Sequence, residues 1–227
     1  MEINELIQNI KSIDMVTNDY WLSTLDDRKK KEMEFHDKDR DIERELNLKA
    51  EDTFEKFYGN RKYYDVTKRS QEYVKRWIEA EAKGNIFLDY ACGDGKHAMT
   101  AAKAGASLSV GLDISSISVE NARQDASKKS LSNIKFFQAD AENTKLPDNC
   151  VDRIICSGML HHLDLSHALP EIRRILKPGG KVLAVEALDY NPLVKIYRLM
   201  TPEMRTEWEK AHILLSLIHI SEPTRPY

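Results

Sequence analysis

The sequence predicts an α/β protein with a doubly wound, mainly parallel sheet behind an N-terminal helical cap. Three observations lead there. Beyond Asn85, short apolar runs alternate with stretches of helical periodicity, the pacing of parallel strands joined by crossover helices. The run Val182-Leu183-Ala184-Val185 is apolar throughout, as expected of a strand buried on both faces. Before Asn85 the texture is charged and helical instead, with Leu6, Ile7, Ile10 and Ile13 recurring at spacings of three and four.

Residues 26–45 hold 16 charged side chains out of 20, seven basic and nine acidic, so this stretch reads as a solvated helix face. Trp21, Phe35, Phe54, Phe57, Tyr58, Tyr63, Tyr64 and Trp77 nevertheless place most of the aromatics before residue 85, so part of this region must pack or cover a ligand. Ile86-Phe87-Leu88 starts the first strand, which ends at Asp89 and leads into Ala91-Cys92-Gly93-Asp94-Gly95. Ala98, Ala101 and Ala102 then trace a helix that Gly105 terminates. Leu108, Val110 and Leu112 alternate as a second strand up to Asp113, and Ser115 or Ser116 caps the helix of Ile117, Val119 and Ala122. Ile134 to Phe137 form the third strand, ending near Asp140. Val151 to Cys156 form the fourth, apolar apart from Asp152 and Arg153. Leu165, Ala168, Leu169, Ile172, Ile175 and Leu176 mark a helix that Pro178-Gly179-Gly180 stops ahead of the fifth strand.

A net charge of −3 argues against a nucleic-acid or anionic-membrane binder driven by charge. Three cysteines without a CxxC spacing fit a reducing, cytoplasmic setting with idle thiols. The opening MEINELIQNI lacks the basic and apolar regions of a signal peptide, and no apolar window reaches membrane-spanning length.

The chemistry gathers where strands end: Asp89 to Gly95, Asp113, Asp140, and Ser157 to His162. In open α/β sheets these positions converge on one crevice. Gly93 and Gly95 allow a tight turn and close approach to a ligand. Asp113 stands at about the spacing at which an acid receives ribose hydroxyls. Gly93-Asp94-Gly95-Lys96-His97-Ala98 also fits GxGxxA, so a dinucleotide site stays open. Against it, Asp89 lies where a pyrophosphate would sit, and its carboxylate would attract a cation instead. An adenosine bearing a cationic amino-acid end suits three acids better than a dinucleotide does.

The stretches LDYACGDGKHA, VGLDIS, FQADAENTKLPDNCVDRIICSGMLHHL and EIRRILKPGGKVLAVEAL stand in the order and spacing of one family. From Phe87 to Leu188 the chain resembles a class I S-adenosylmethionine-dependent methyltransferase of the small-molecule type, with a Rossmann-like core; the usual third glycine of the first motif is absent. The resemblance implies S-adenosyl-L-methionine as cofactor. Asp89, Ala91, Gly93 and Gly95 would cradle its methionine part and Asp113 its ribose. Ile114 would pack on adenine, Asp140 would take the adenine amino group with help from the Ala141 backbone, and Ser157 to His161 would line the floor near the methyl. His36, His161 and Tyr64 are the candidate general bases. Glu34-Phe35-His36-Asp37 and Lys62-Tyr63-Tyr64 resemble lid elements of such enzymes. No metal is expected, because Ser157 stands where metal-dependent relatives place acids, and adjacent His161 and His162 do not face one point. The missing Asn/Asp-Pro-Pro-aromatic motif lowers amino acceptors, which favours O- or C-methylation of a small molecule or glycan without nucleic acid. A catalytically silent cofactor binder and a nicotinamide oxidoreductase are the alternatives.

The expected division is a cap over 1–84, a cofactor-binding core over 85–188, and the start of a substrate segment over 189–214. Residues 215–227 form a tail that is expected to be non-native, because Leu215 to Arg225 reads as a translated sequencing adaptor. The last strands of the fold are then expected to be missing, leaving the fifth strand as an edge.

Overall fold

The computed structural model describes residues 2–14, 18–49 and 61–186, with 196, 206 and 208 as isolated positions; for 18, 39–49 and 61–67 only the backbone is described. The elements are α1 (Ile3–Asp14), α2 (Asn18–Thr24), α3 (Asp27–Lys49), α4 (Arg61–Glu81), β1 (Ile86–Tyr90), α5 (Lys96–Lys103), β2 (Leu108–Asp113), α6 (Ser116–Lys128), β3 (Ile134–Gln138), β4 (Val151–Ser157), α7 (Leu165–Ile175) and β5 (Leu176–Val185). A short 3₁₀ turn, Leu160–His162, follows β4. The five strands lie in the order β3-β2-β1-β4-β5, and every pairing is parallel.

Side-chain alternation along the strands sorts the core into two layers. Leu88, Tyr90, Val110, Leu112, Phe137 and Ile154 face one way and pack with Leu6 and Ile10 of α1 and Ile172 and Ile175 of α7. Phe136 faces the other way, packing with Ala98 and Met99 of α5 and Val119 and Ala122 of α6. Phe87 and Ile155 join that second layer through Val74, Ile78 and Ala82 of α4. The N-terminal region is therefore split in role. α1 and α4 each cover a face of the sheet, whereas α3 lies over the carboxyl ends of the strands.

Asp152 and Arg153, the charged interruptions of β4, serve its amino end. Asp152 Oδ2 accepts from the backbone N–H of Ile86 at 2.8 Å, and Arg153 Nε donates to Glu81 of α4 at 2.6 Å. The loop from β3 to β4 is held by Glu171, a buried acid of α7 that accepts from both the backbone N–H and the hydroxyl of Thr144. Ser115 caps α6 as expected, accepting from Ser118 N–H at 3.0 Å.

β5 departs from its expected form in two ways. It begins at Leu176, directly after α7, and takes up Pro178-Gly179-Gly180 as an irregularity between the pairs Val151–Leu176 and Arg153–Lys181. Val182 to Val185 are only partly buried, since β5 pairs with β4 alone among the described residues. The expected substrate segment and the tail, 189–214 and 215–227, lie outside the described residues apart from the three isolated positions. Cys92, Cys150 and Cys156 are all free and buried. Burial raises each thiol, Cys150 to about 12, so none is poised as a nucleophile.

Gly111 of β2 is where Phe136 crosses the sheet: a Cβ there would stand 2.4 Å from its ring and 2.9 Å from Cys92 Sγ. Gly111→Ala should lower stability by about 1–3 kcal/mol through overpacking. Urea unfolding should give a lower midpoint with an unchanged slope; an unaltered midpoint would show that Phe136 has room to move.

Candidate functional site

The strand order reverses between β1 and β4, the point at which open parallel sheets form a crevice. A cavity of about 320 Å³ opens there. Its floor comes from the segments after four strands: Ala91 to Asp94, Asp113 and Ile114, Asp140 to Glu142, and Ser157 to Met159. α3 closes it from above with Arg28, Lys29, Glu32 and His36.

The loop after β1 alternates left-handed residues, with φ of 55° at Ala91, 50° at Gly93 and 70° at Gly95. Ala91 is a non-glycine in that region, at a cost of about 1–2 kcal/mol. Gly93 N–H donates to Asp113 Oδ2 at 2.8 Å, and Ser115 N–H donates to Asp113 Oδ1 at 2.9 Å. Asp113 thus fixes the loops after β1 and β2 together. Gly95 is not among the lining residues. It sits at the N-cap of α5, where a Cβ would stand 2.6 Å from the Phe136 ring, so a side chain there would collide with the core.

Asp89 is 2% exposed, and its Oδ2 accepts from Ala98 N–H at 2.9 Å. Burial drives its carboxyl well above the ordinary range; the Ala98 hydrogen bond opposes this, and the nearby Asp94 and Asp113 reinforce it. Asp140 is buried as well: Oδ1 accepts from Glu142 N–H at 2.8 Å, and Oδ2 accepts from Lys29 Nζ at 2.7 Å. Tyr90 ties down the same loop by donating its hydroxyl to the Ala141 carbonyl. Gln138 Nε2 donates to the Ile114 carbonyl at 2.9 Å, joining the loops after β2 and β3.

Sequence reasoning missed the cations of α3. Lys29 bridges Asp140 and Glu142, and Arg28 pairs with Glu142 while donating to the His162 carbonyl at 3.1 Å. Burial opposes the Lys29 charge, yet its hydrogen bonds to Asp140 and Glu142 outweigh that and raise it above the ordinary lysine range. Glu186 was missed too. Its buried side chain accepts from Met159 and Leu160 N–H and lies 2.7 Å from His161 Nδ1. In sequence Arg28 and Lys29 were indistinguishable from the charged face around them, whereas Glu186, the acid directly after β5, carried the same strand-end signal as Asp89 and Asp113.

Of the three candidate bases, His36 lines the cavity. His161 is engaged by Glu186 and is not among the lining residues; its neighbour His162 is. The two rings stay in contact, centroids 4.3 Å apart and tilted by 34°, while their Nδ1 atoms meet different acids, Glu186 and Glu32. Tyr64 lies in α4, and its side chain is outside the described residues.

A parallel sheet with a glycine-bearing loop after β1 and acids after β2 and β3 belongs to the Rossmann-like class of nucleoside-binding folds. Residues 88–184 match the family described as Methyltransferase domain. This stretch, under half of the chain, is similar to class I S-adenosylmethionine-dependent methyltransferase domains, whose cofactor is S-adenosyl-L-methionine. The chain is similar to a demethylmenaquinone methyltransferase of Geobacillus sp. (33% identical over 144 residues, 59% of this chain and 60% of that protein). It is also similar to the 27-O-demethylrifamycin SV methyltransferase of Amycolatopsis mediterranei (34% over 101 residues, 44% of this chain and 37% of that protein). Among solved structures, the YcgJ protein of Bacillus subtilis superposes with a TM-score of 0.54 at 26% identity, covering 66% of this chain and 64% of that one. The chain therefore spans less than two thirds of these relatives. Among the described residues, no helix is long and apolar enough to cross a membrane.

Because Asp89 holds its proton more tightly folded than unfolded, its contribution to stability falls as pH rises from the ordinary Asp range toward neutrality. Asp89→Asn keeps an acceptor for Ala98 N–H and removes the buried charge. It should raise the urea midpoint of the ligand-free protein at neutral pH, with the gain shrinking toward about pH 4. A midpoint that is unchanged or lower at neutral pH would show that burial does not govern this carboxyl.

Proposed function

We propose that this chain transfers the methyl group of S-adenosylmethionine to a small-molecule or glycan acceptor. The observation that carries this reading is the convergence of Asp89, Asp113 and Asp140 with the Ala91–Gly93 loop on one cavity at the switch point. Its volume falls at the lower end of the range of about 300–1,000 Å³ common for small-ligand sites. Six carboxylates line it against three side-chain cations, a balance that suits a ligand carrying a sulfonium and an ammonium. In this reading Asp89, Ala91 and Gly93 hold the methionine end and Asp113 receives the ribose hydroxyls through lone pairs its backbone donors leave open. Ile114 packs on adenine, and Asp140 with the Ala141 backbone takes the amino group. Lys29 already holds one Asp140 oxygen, so the amino group shares that carboxylate or shifts the lysine aside.

The sulfonium methyl is strongly activated when the cofactor is bound. What remains for the protein is alignment of an acceptor atom in line with the S–CH₃ bond, and exclusion of water. Ser157 and Met159 supply floor beside the methyl, and α3 supplies the roof. His36 and His162, with Glu32 between them, form a polar wall on the acceptor side. The names of the relatives support a small-molecule acceptor, one of them methylated at an oxygen.

The dinucleotide reading lacks its anchor. Lys96 N–H donates to Asp94 Oδ1 at 3.2 Å and Ala98 N–H to Asp89, so carboxylates occupy amides of α5 that a pyrophosphate would need. Native mass spectrometry of the full chain with S-adenosylmethionine and NADH together tests this, followed by release of S-adenosylhomocysteine on adding quinol and hydroxylated acceptors. Retention of NADH alone would overturn the reading; cofactor retention without turnover across the panel would favour the silent relative.

Asp113→Ala should weaken S-adenosylhomocysteine binding by about 1.5–3 kcal/mol for each ribose hydrogen bond lost, about 10- to 150-fold. Calorimetry checks it, with Asp113→Asn beside it because the amide still accepts from one backbone N–H. Affinity unchanged in both variants would sink the ribose assignment.

A further inference from the structure

The roof and floor of the cavity meet at a cluster to which the proposed function gives no part in holding the cofactor. Glu32 and His36 are four residues apart on α3 and so share one face of that helix. His162 comes from the turn after β4, and its Nδ1 lies 3.0 Å from Glu32 Oε2. His36 Nε2 lies 3.9 Å from the same oxygen. One donor atom from each of the three residues falls within 4.8 Å of the other two. The imidazoles meet edge to face with centroids 4.7 Å apart. Glu32 is 5% exposed, an acid withdrawn from water on a helix otherwise rich in solvated charge.

We propose that Glu32, His36 and His162 bind a divalent first-row transition cation of the Zn²⁺ or Co²⁺ kind, with its remaining positions open to the cavity. Bonds of about 2.0–2.2 Å to nitrogen and oxygen place neighbouring ligand atoms about 3–3.5 Å apart. The Glu32–His162 spacing already meets that. The His36 ring needs to close by about an ångström, within reach of a side-chain rotation because the ring is half-buried at the cavity wall. Two imidazoles and a carboxylate select this class of ion over Mg²⁺ and Ca²⁺, which prefer all-oxygen shells. Electrostatics favour it as well: Arg28 and Lys29, the nearby cations, are paired with Glu142 and Asp140, while Glu32 faces only imidazoles in the contacts described. All three ligands line the cavity, so an open coordination position points to the space assigned to the acceptor. If the methyl-transfer reading holds, an acceptor oxygen would occupy it. The metal site itself does not depend on that reading. Sequence gave no hint of it, since His162 finds its fellow ligands about 130 residues away on α3 rather than in adjacent His161.

The test is a cobalt titration of the chelator-treated full chain, followed by visible absorption and without cofactor. One equivalent should bind with the d–d bands of a mixed nitrogen and oxygen shell. Glu32→Gln, His36→Ala and His162→Ala should each weaken binding by more than the roughly 10–100-fold that loss of an outer-shell partner costs. His161→Ala should retain it. S-adenosylhomocysteine affinity, measured in parallel by calorimetry, keeps failure of the metal site separate from failure of the cofactor assignment and shows that each variant is folded. Absence of cobalt bands in the parent chain, or bands that persist in all three ligand variants, would overturn the proposal and leave Glu32 as the acceptor that orients His162.

Discussion

The carboxylate of Asp113 is the joint on which the site depends. It accepts from Gly93 on one side and Ser115 on the other, so the loops after β1 and β2 cannot move apart without breaking both bonds, one of them buried. The Ser115 hydroxyl passes the connection on by donating to Asp37 of α3. A single charged residue at the end of β2 therefore reaches the glycine loop, the start of α6 and the roof of the cavity. Hydrogen bonds to a carboxylate are the stronger kind, and the one from Ser115 is buried. The segment can thus hold a left-handed alanine and glycine side by side with the sheet.

The roof is held by a different kind of force. Arg28 and Lys29 come from a highly charged helix and reach down to Glu142 and Asp140 at the end of β3. Glu142 also accepts from Asp164 N–H at the N-cap of α7, so the same acid stabilises the floor and draws in the roof. Partly buried pairs of this sort are screened less by salt than exposed ones. The arrangement places a lysine against Asp140 and a helix bearing His36 over the cavity. Whatever enters the cavity meets α3 as well as the sheet.

Packing explains why acids accumulate on this edge without unfolding it. Gly111 has no side chain, so Phe136 can lie across β2 and fill the layer beneath Cys92 and α5. Above that apolar plug, Asp89 accepts from one amide of α5 among the described residues, and burial drives its carboxyl well above the ordinary range. A carboxyl perturbed by burial at the edge of a cleft is a common feature of functional positions.

The five strands, their order of appearance, the helices between them and the acids at their ends were legible in the sequence. Period and strand-end chemistry are local properties, readable wherever neighbours in the chain are also neighbours in the element. Asp89, Asp113 and Asp140 could be placed because a parallel sheet brings its carboxyl ends to one edge whatever the details. Only the tertiary structure decided that α1 and α4 cover the sheet while α3 roofs it. It alone set Gly95 against Phe136, turned His161 to Glu186, and brought His162 to Glu32 and His36. Those outcomes depend on which charged residues of a uniformly polar helix meet which loop, and on which acid each of two adjacent, touching rings meets. Such choices are made by contacts between residues more than a hundred positions apart, for which a local pattern carries no signal.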